Sequence, residues 1–140
     1  MAQEIVIRQV NKPVARDVYE DIEWLCDSFG FCQGRDIENI ATQVIKEVIT
    51  YKKSCREDGD LLSSEILANE LGISIGRVNH HLRNLIDFGL LEREKRVILL
   101  RGGTLTAAVR EIRKDTERIL DEIEFIAAEI DKNLGYEIKR

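Results

Sequence analysis

Apolar positions recur at helical spacing along most of this chain and shift to a strand-like pattern in one short stretch. Val14, Val18, Ile22, Leu25 and Phe29 repeat every three or four residues. They predict a first helix over 13–29, begun by Pro13 and ended before Gly30. Ile37, Ile40, Ala41, Val44, Ile45 and Val48 predict a second helix over 37–55, with Asp36 as its N-cap. A charged turn at 56–60 leads to a shorter helix over 63–71. Its inward residues are Ile66, Leu67 and Leu71, and Gly72 stands just past its end. Ser74 is placed to cap another helix over 74–88, closed by Gly89. Ahead of all these, 4–10 alternates only loosely and reads as a short strand or an ordered arm.

After Gly89 the period changes. Leu90-Leu91-Glu92-Arg93 and Arg96-Val97-Ile98-Leu99-Leu100 flank Glu94-Lys95, which predicts a tight β-hairpin turning on that charged pair. Gly102-Gly103 separates the hairpin from a last helix over 105–133, with Thr104 as cap. In that helix Leu105, Val109, Ile112, Thr116, Ile119, Ile123, Ile126 and Ile130 are spaced alternately by four and three. This is a heptad seam and predicts a dimerisation helix, parallel or antiparallel. Packing of the helix on the chain's own first two helices is the competing reading. Helix, Gly-containing turn, helix and hairpin in that order form a winged helix-turn-helix. The expected fold is therefore mainly α with a small β-hairpin wing. It comprises an N-terminal arm and helices (1–60), the winged helix-turn-helix (61–101) and the long helix (104–134).

Composition narrows the function classes. The chain has 140 residues, 44% of them apolar, enough for a core without disulfides. Its longest apolar runs are far too short to span a membrane, and no basic segment precedes an apolar block at the start, so a cytoplasmic location is expected. Cys26, Cys32 and Cys55 lack metal-ligand spacing and are expected as buried thiols, their roles open. No phosphate loop, nucleophile motif or convergent acid pair points to an enzyme, and no cofactor or metal is implied. A small-molecule effector between the first helices and the last is compatible with this pattern, but no residue requires it.

The net charge of −5 is unevenly spread. Residues 1–73 carry −6, 74–103 carry +3 and 104–140 carry −2. The basic island coincides with the second helix of the helix-turn-helix and the hairpin. On a helical wheel Val78, Leu82 and Leu85 face inward, with His81 beside them and Ile73 and Ile75 filling the gap between the two helices. Gly76, Arg77, His80, Arg83 and Asn84 face outward, Asn79 lies at the edge, and no acid is expected on this face. Arg suits guanine, Asn suits adenine, and Arg and His suit phosphates. Ser74 lies where a helix N-terminus can hold a phosphate. Arg93, Lys95 and Arg96 surround the hairpin tip, where they would touch the DNA backbone or minor groove. The expected partner is double-stranded DNA.

The run from Leu67-Ala68-Asn69-Glu70-Leu71-Gly72-Ile73-Ser74 through Val78-Asn79-His80-His81-Leu82-Arg83-Asn84-Leu85 to Phe88-Gly89-Leu90-Leu91 resembles the winged-helix core of ArsR-like transcriptional regulators, including archaeal ones. The resemblance covers roughly 40 residues. It implies sequence-specific DNA binding by a homodimer and control of transcription. The Cys-x-Cys of the metal-sensing branch is missing from the helix before the recognition helix. The alternative function is a winged-helix module for protein contacts within a transcription or replication complex.

Overall fold

The computed structural model describes residues 3–12, 14, 17–31, 39–54 and 61–136. Among them are five α-helices and one two-stranded antiparallel sheet: α1 (Val18–Ser28), α2 (Ile40–Ser54), α3 (Ser64–Leu71), α4 (Ile75–Phe88), β1 (Leu91–Glu94), β2 (Val97–Leu100) and α5 (Leu105–Leu134). A short 3-10 turn, Arg101–Gly103, joins β2 to α5. No described helix is long and apolar enough to cross a membrane. Pro13, Cys32, Asp36, Ile37, Cys55 and the expected turn 56–60 lie outside the described residues.

The helix starts follow local chemistry. Asp17, Ser63, Ser74 and Thr104 each turn a side-chain oxygen onto an amide of the first turn, each contributing about 1 kcal/mol. The core forms around α2, which packs against α1, α3, α4 and β2. Ile40, Ala41, Val44, Ile45 and Val48 are all buried, as their spacing predicts. Leu67 of α3 and Val78, Leu82 and Leu85 of α4 close on the same cluster. From the hairpin, Leu91, Ile98 and Leu100 add to it, and Ile98 N donates to Leu62 O at 2.9 Å.

Several expectations need correction. The first helix begins at Val18, and Val14 and Val18 are exposed. α1 buries Ile22 and Cys26 and packs on α2, while the early part of its apolar stripe stays exposed. The 4–10 segment is an ordered arm and not a strand. It is tied down by Arg8 N to Ser28 O at 2.7 Å and Trp24 Nε1 to Val10 O at 2.9 Å. The hairpin turns at Lys95-Arg96, one residue later than predicted, because Glu94 pairs with Val97 and Arg93 with Ile98. The predicted register would have set Arg93 opposite Arg96, and like charges facing across a ladder repel.

α5 splits into two halves. Ala108, Ile112 and Asp115 are buried against the body of the molecule. Ile112 is therefore part of this chain's own core and is unavailable to a dimer seam. Leu105, Val109, Thr116 and Ile119 are half-buried, whereas Leu120, Ile123, Ile126, Ile130 and Leu134 are each more than half exposed. The first half thus has a partner within the chain, and the second half leaves that partner behind.

Candidate nucleic-acid interface

α3 and α4 meet through a turn that needs a glycine. Gly72 takes φ +65°, which ends α3 and turns the chain, and Ile73 N donates back to Ala68 O at 3.1 Å. Ile73 packs into the core as expected. Ile75 does not: it is 46% exposed. As the first residue of α4 it lines a shallow concavity with Ser64 and Glu65 of α3 and the hairpin side chains.

With Val78, Leu82, Leu85 and Phe88 buried, the remainder of α4 is turned outward by the helical period. Gly76, Arg77, His80, Arg83 and Asn84 are exposed, and Asn79 is half-buried. A Cβ at Gly76 would meet nothing nearer than Ser74 Oγ at 4.0 Å, so this spot is open to close approach. The Ser74 hydroxyl accepts from Arg77 N at 3.2 Å. It therefore caps its own helix, and its oxygen is engaged there. His80 and His81 stack edge to face with centroids 5.3 Å apart, His81 half-buried beside the core as expected.

Beyond its buried Leu91, Ile98 and Leu100, the hairpin makes a polar contact with α3 and α4 through one side chain. Arg93 Nη2 donates to Ser64 Oγ at 2.8 Å and to Asn79 Oδ1 at 3.2 Å. Ser64 Oγ in turn donates to Asn79 Oδ1 at 2.9 Å. A β1 residue thereby touches the first turn of α3 and the edge of α4. Lys95 and Arg96, both exposed, line the same concavity, which has a volume of about 260 Å³. Ser64 was not a sequence candidate, because a second serine behind a capping serine carries no distinguishing signal. Glu65, also in the concavity, has its carboxyl held below the usual carboxylate range. Its own backbone amide contributes most, then the Ser63 hydroxyl, with Arg96 and Arg93 adding smaller attractions.

The other flank of α4 borders a larger groove, about 930 Å³, lined by Arg77, His80 and Asn84 along α4 and by Val6 of the arm. Its floor includes Phe29, Phe31 and Phe88, whose rings touch mutually at centroid distances of 4.8–5.8 Å. Glu4 and Asp87 also line it. The expectation of an acid-free face is therefore corrected: Asp87 is exposed and follows Arg83 by one helical turn, and the arm brings in Glu4. This groove lies between the arm, the end of α1, α2 and α4.

A buried polar cluster sets the position of α4 relative to α5. Asp115, only 3% exposed, accepts from Arg101 Nη1 at 2.6 Å, from Gln3 Nε2 at 2.9 Å and from Arg118 Nη2 at 3.1 Å. The Arg101 guanidinium holds the Asp115 carboxyl down at about 2, against the opposing effect of burial, with Gln3 and Arg118 helping. Gln3 and Arg101 also reach the carbonyls of Phe88 and Gly89, where α4 ends. The cluster links arm, 3-10 turn and α5 through side chains and holds the α4 terminus by its backbone carbonyls. Among the described residues, no three His, Cys, Asp or Glu side chains gather as a metal site. No family model, curated protein or solved structure matches this chain.

Proposed function

We propose that α3, α4 and the β-hairpin act as a winged helix-turn-helix that binds double-stranded DNA, and that the protein is a homodimeric transcriptional regulator of the ArsR-like kind. α4 would enter the major groove with Arg77, His80, Arg83 and Asn84 toward base edges and phosphates, and Lys95 and Arg96 would meet the adjacent backbone. The observation that carries this reading is the Arg93–Ser64–Asn79 contact. It sets the hairpin beside the Asn79 edge of α4, which supports reading the basic turn and the outward row of α4 as parts of one binding surface.

Dimerisation through α5 would present two such surfaces, and the operator would be an inverted repeat with half-site centres about 34 Å apart. Fluorescence anisotropy against a library of duplexes is the test. Selected duplexes should bind far more tightly than scrambled ones, and Arg77→Ala with Arg83→Ala should abolish the difference. Unchanged affinity in that double variant would sink the proposal. One observation favours a second reading, a protein-interaction module. Glu4 and Asp87 line the same groove as Arg77 and His80, and acids there repel phosphates but suit a mixed-charge protein surface.

A further inference from the structure

The outer half of α5 leaves the body of the molecule with its apolar face uncovered. Leu120, Ile123, Ile130 and Leu134 are between 52% and 65% exposed. This stripe does not stop where the helix meets the body. Ala108, Ile112 and Asp115 are buried on one side of the helix, while Leu105, Val109 and Thr116 stay half-exposed and continue the stripe toward the helix start. An apolar line thus runs the full 30 residues, about 45 Å.

Charge along one edge of that line reverses sign after Arg113. Arg110 and Arg113 flank it in the first half, Glu117 follows just before the midpoint, and Glu124 and Asp131 flank it in the second. All five fall within about 60° of one another on a helical wheel. The opposite edge is covered by the molecule's own body in the first half and carries Glu122 and Glu129 in the second.

We infer that α5 pairs with α5 of a second copy in antiparallel orientation, crossing at its midpoint between Ile119 and Leu120. That crossing sets Leu134 against Leu105, Ile130 against Val109 and Ile123 against Thr116, with Leu120 against Ile119 at the centre. Like edges face each other in an antiparallel pair, so Arg110 and Arg113 lie beside the partner's Asp131 and Glu124. A sequence whose apolar layers and charge sign both match under reversal has the self-complementarity that a two-fold axis demands. A parallel pair would lay outer half on outer half, where both edges are acidic. The antiparallel pair separates the two Ile112 anchors by about 23 Å along the rod. The bodies lie outward of these anchors, so a spacing near one DNA turn is within reach.

This inference rests on the homodimer reading above and is independent of DNA binding. It is tested on the full chain by light scattering and by two single cysteine variants under mild oxidation, with disulfides mapped by mass spectrometry. The expected result is a dimer in which L120C joins two copies at position 120 while L134C does not join two copies at position 134. Arg113→Glu should weaken dimerisation severalfold, and adding Glu124→Arg to the same chain should restore it. Self-linkage at position 134 means a parallel dimer, which overturns the inference and leaves the homodimer reading standing. A monomer by light scattering overturns both.

Discussion

Arg101 Nη1 and Asp115 Oδ2 lie 2.6 Å apart, joining the 3-10 turn after the hairpin to the third turn of α5. The pair is unequal in its surroundings: the Asp115 side chain is 4% exposed and that of Arg101 27%. Losing the arginine strands a buried carboxylate, whereas losing the carboxylate leaves a guanidinium that can reach water. Arg101→Leu should therefore cost about 3 kcal/mol of unfolding free energy. The check is urea unfolding followed by circular dichroism at pH 7. A loss below about 1 kcal/mol would mean that Gln3 and Arg118 suffice to hold the carboxylate.

The same pair gives a pH dependence with a definite sign. The Arg101 guanidinium holds the Asp115 carboxyl at about 2 in the folded chain, below its ordinary 3.8. A carboxylate depressed on folding contributes stability that is fully present above its unfolded pKa and lost as pH falls through its folded one. The shift corresponds to about 2 kcal/mol, present at pH 7 and disappearing between roughly pH 4 and pH 2. Asp115→Asn removes the titrating group. Stability curves of the two proteins should therefore run parallel above pH 5 and converge below pH 4. Curves that stay parallel down to pH 2 would contradict the assignment.

Two glycines that end helices offer a controlled comparison. Gly72 and Gly89 both have positive φ, +65° and +107°. A Cβ at Gly72 meets nothing within 4 Å. One at Gly89 meets Arg101 Nη1 at 2.8 Å, Gln3 Nε2 at 3.1 Å and Asp115 Oδ2 at 3.3 Å. Gly72→Ala should cost only the left-handed backbone penalty, about 1 kcal/mol. Gly89→Ala should cost that penalty and also disturb the buried cluster, roughly 3 kcal/mol in all. Equal losses at the two sites, measured by thermal and urea unfolding, would show that the cluster gives way freely.

Those glycines also mark what was readable from the chain. Gly72, Ser74 and Thr104 act within one turn of themselves, so their conformations follow from residue type and neighbours. The apolar stripes of α2 from Ile40 to Val48 and of α4 from Val78 to Phe88 were readable because the core covers them. Val14 and Val18 repeat the same pattern and are exposed, which periodicity alone does not reveal. Ile112 belongs to the heptad and also to the core, and periodicity cannot apportion a residue between two partners.

Asp115 sits among charged residues on a charged helix and reads as solvated. Its burial depends on Arg101 and on Gln3, which lies 112 positions away. At the candidate interface the exposed row of α4 followed from the wheel. Glu4 came from a distant arm, and Asp87 from extending the row by one more turn. The hairpin turn moved because cross-strand charges, not turn residues, decide between two neighbouring registers.

Arg93 and Arg96 stand three residues apart on the hairpin and should affect DNA binding in different ways. The Arg93 guanidinium already donates to Ser64 and Asn79, whereas Arg96 is exposed at the turn. If the proposed interface is right, Arg96 neutralises a phosphate and Arg93 holds the hairpin in place. Each phosphate contact contributes nearly one to the slope of log affinity against log salt. Arg96→Ala should therefore weaken binding and reduce that slope by about one. Arg93→Ala should weaken binding with the slope almost unchanged, because what it loses is alignment and not counterion release. Ser64→Ala should reproduce the Arg93 effect in milder form. Folded stability should change by less than about 1 kcal/mol in all three, since these contacts are at the surface. Anisotropy titrations across a range of salt concentrations separate the outcomes. A slope that falls equally for Arg93→Ala and Arg96→Ala would mean that Arg93 leaves Ser64 and Asn79 to bind phosphate, with the hairpin then held by its buried Leu91, Ile98 and Leu100.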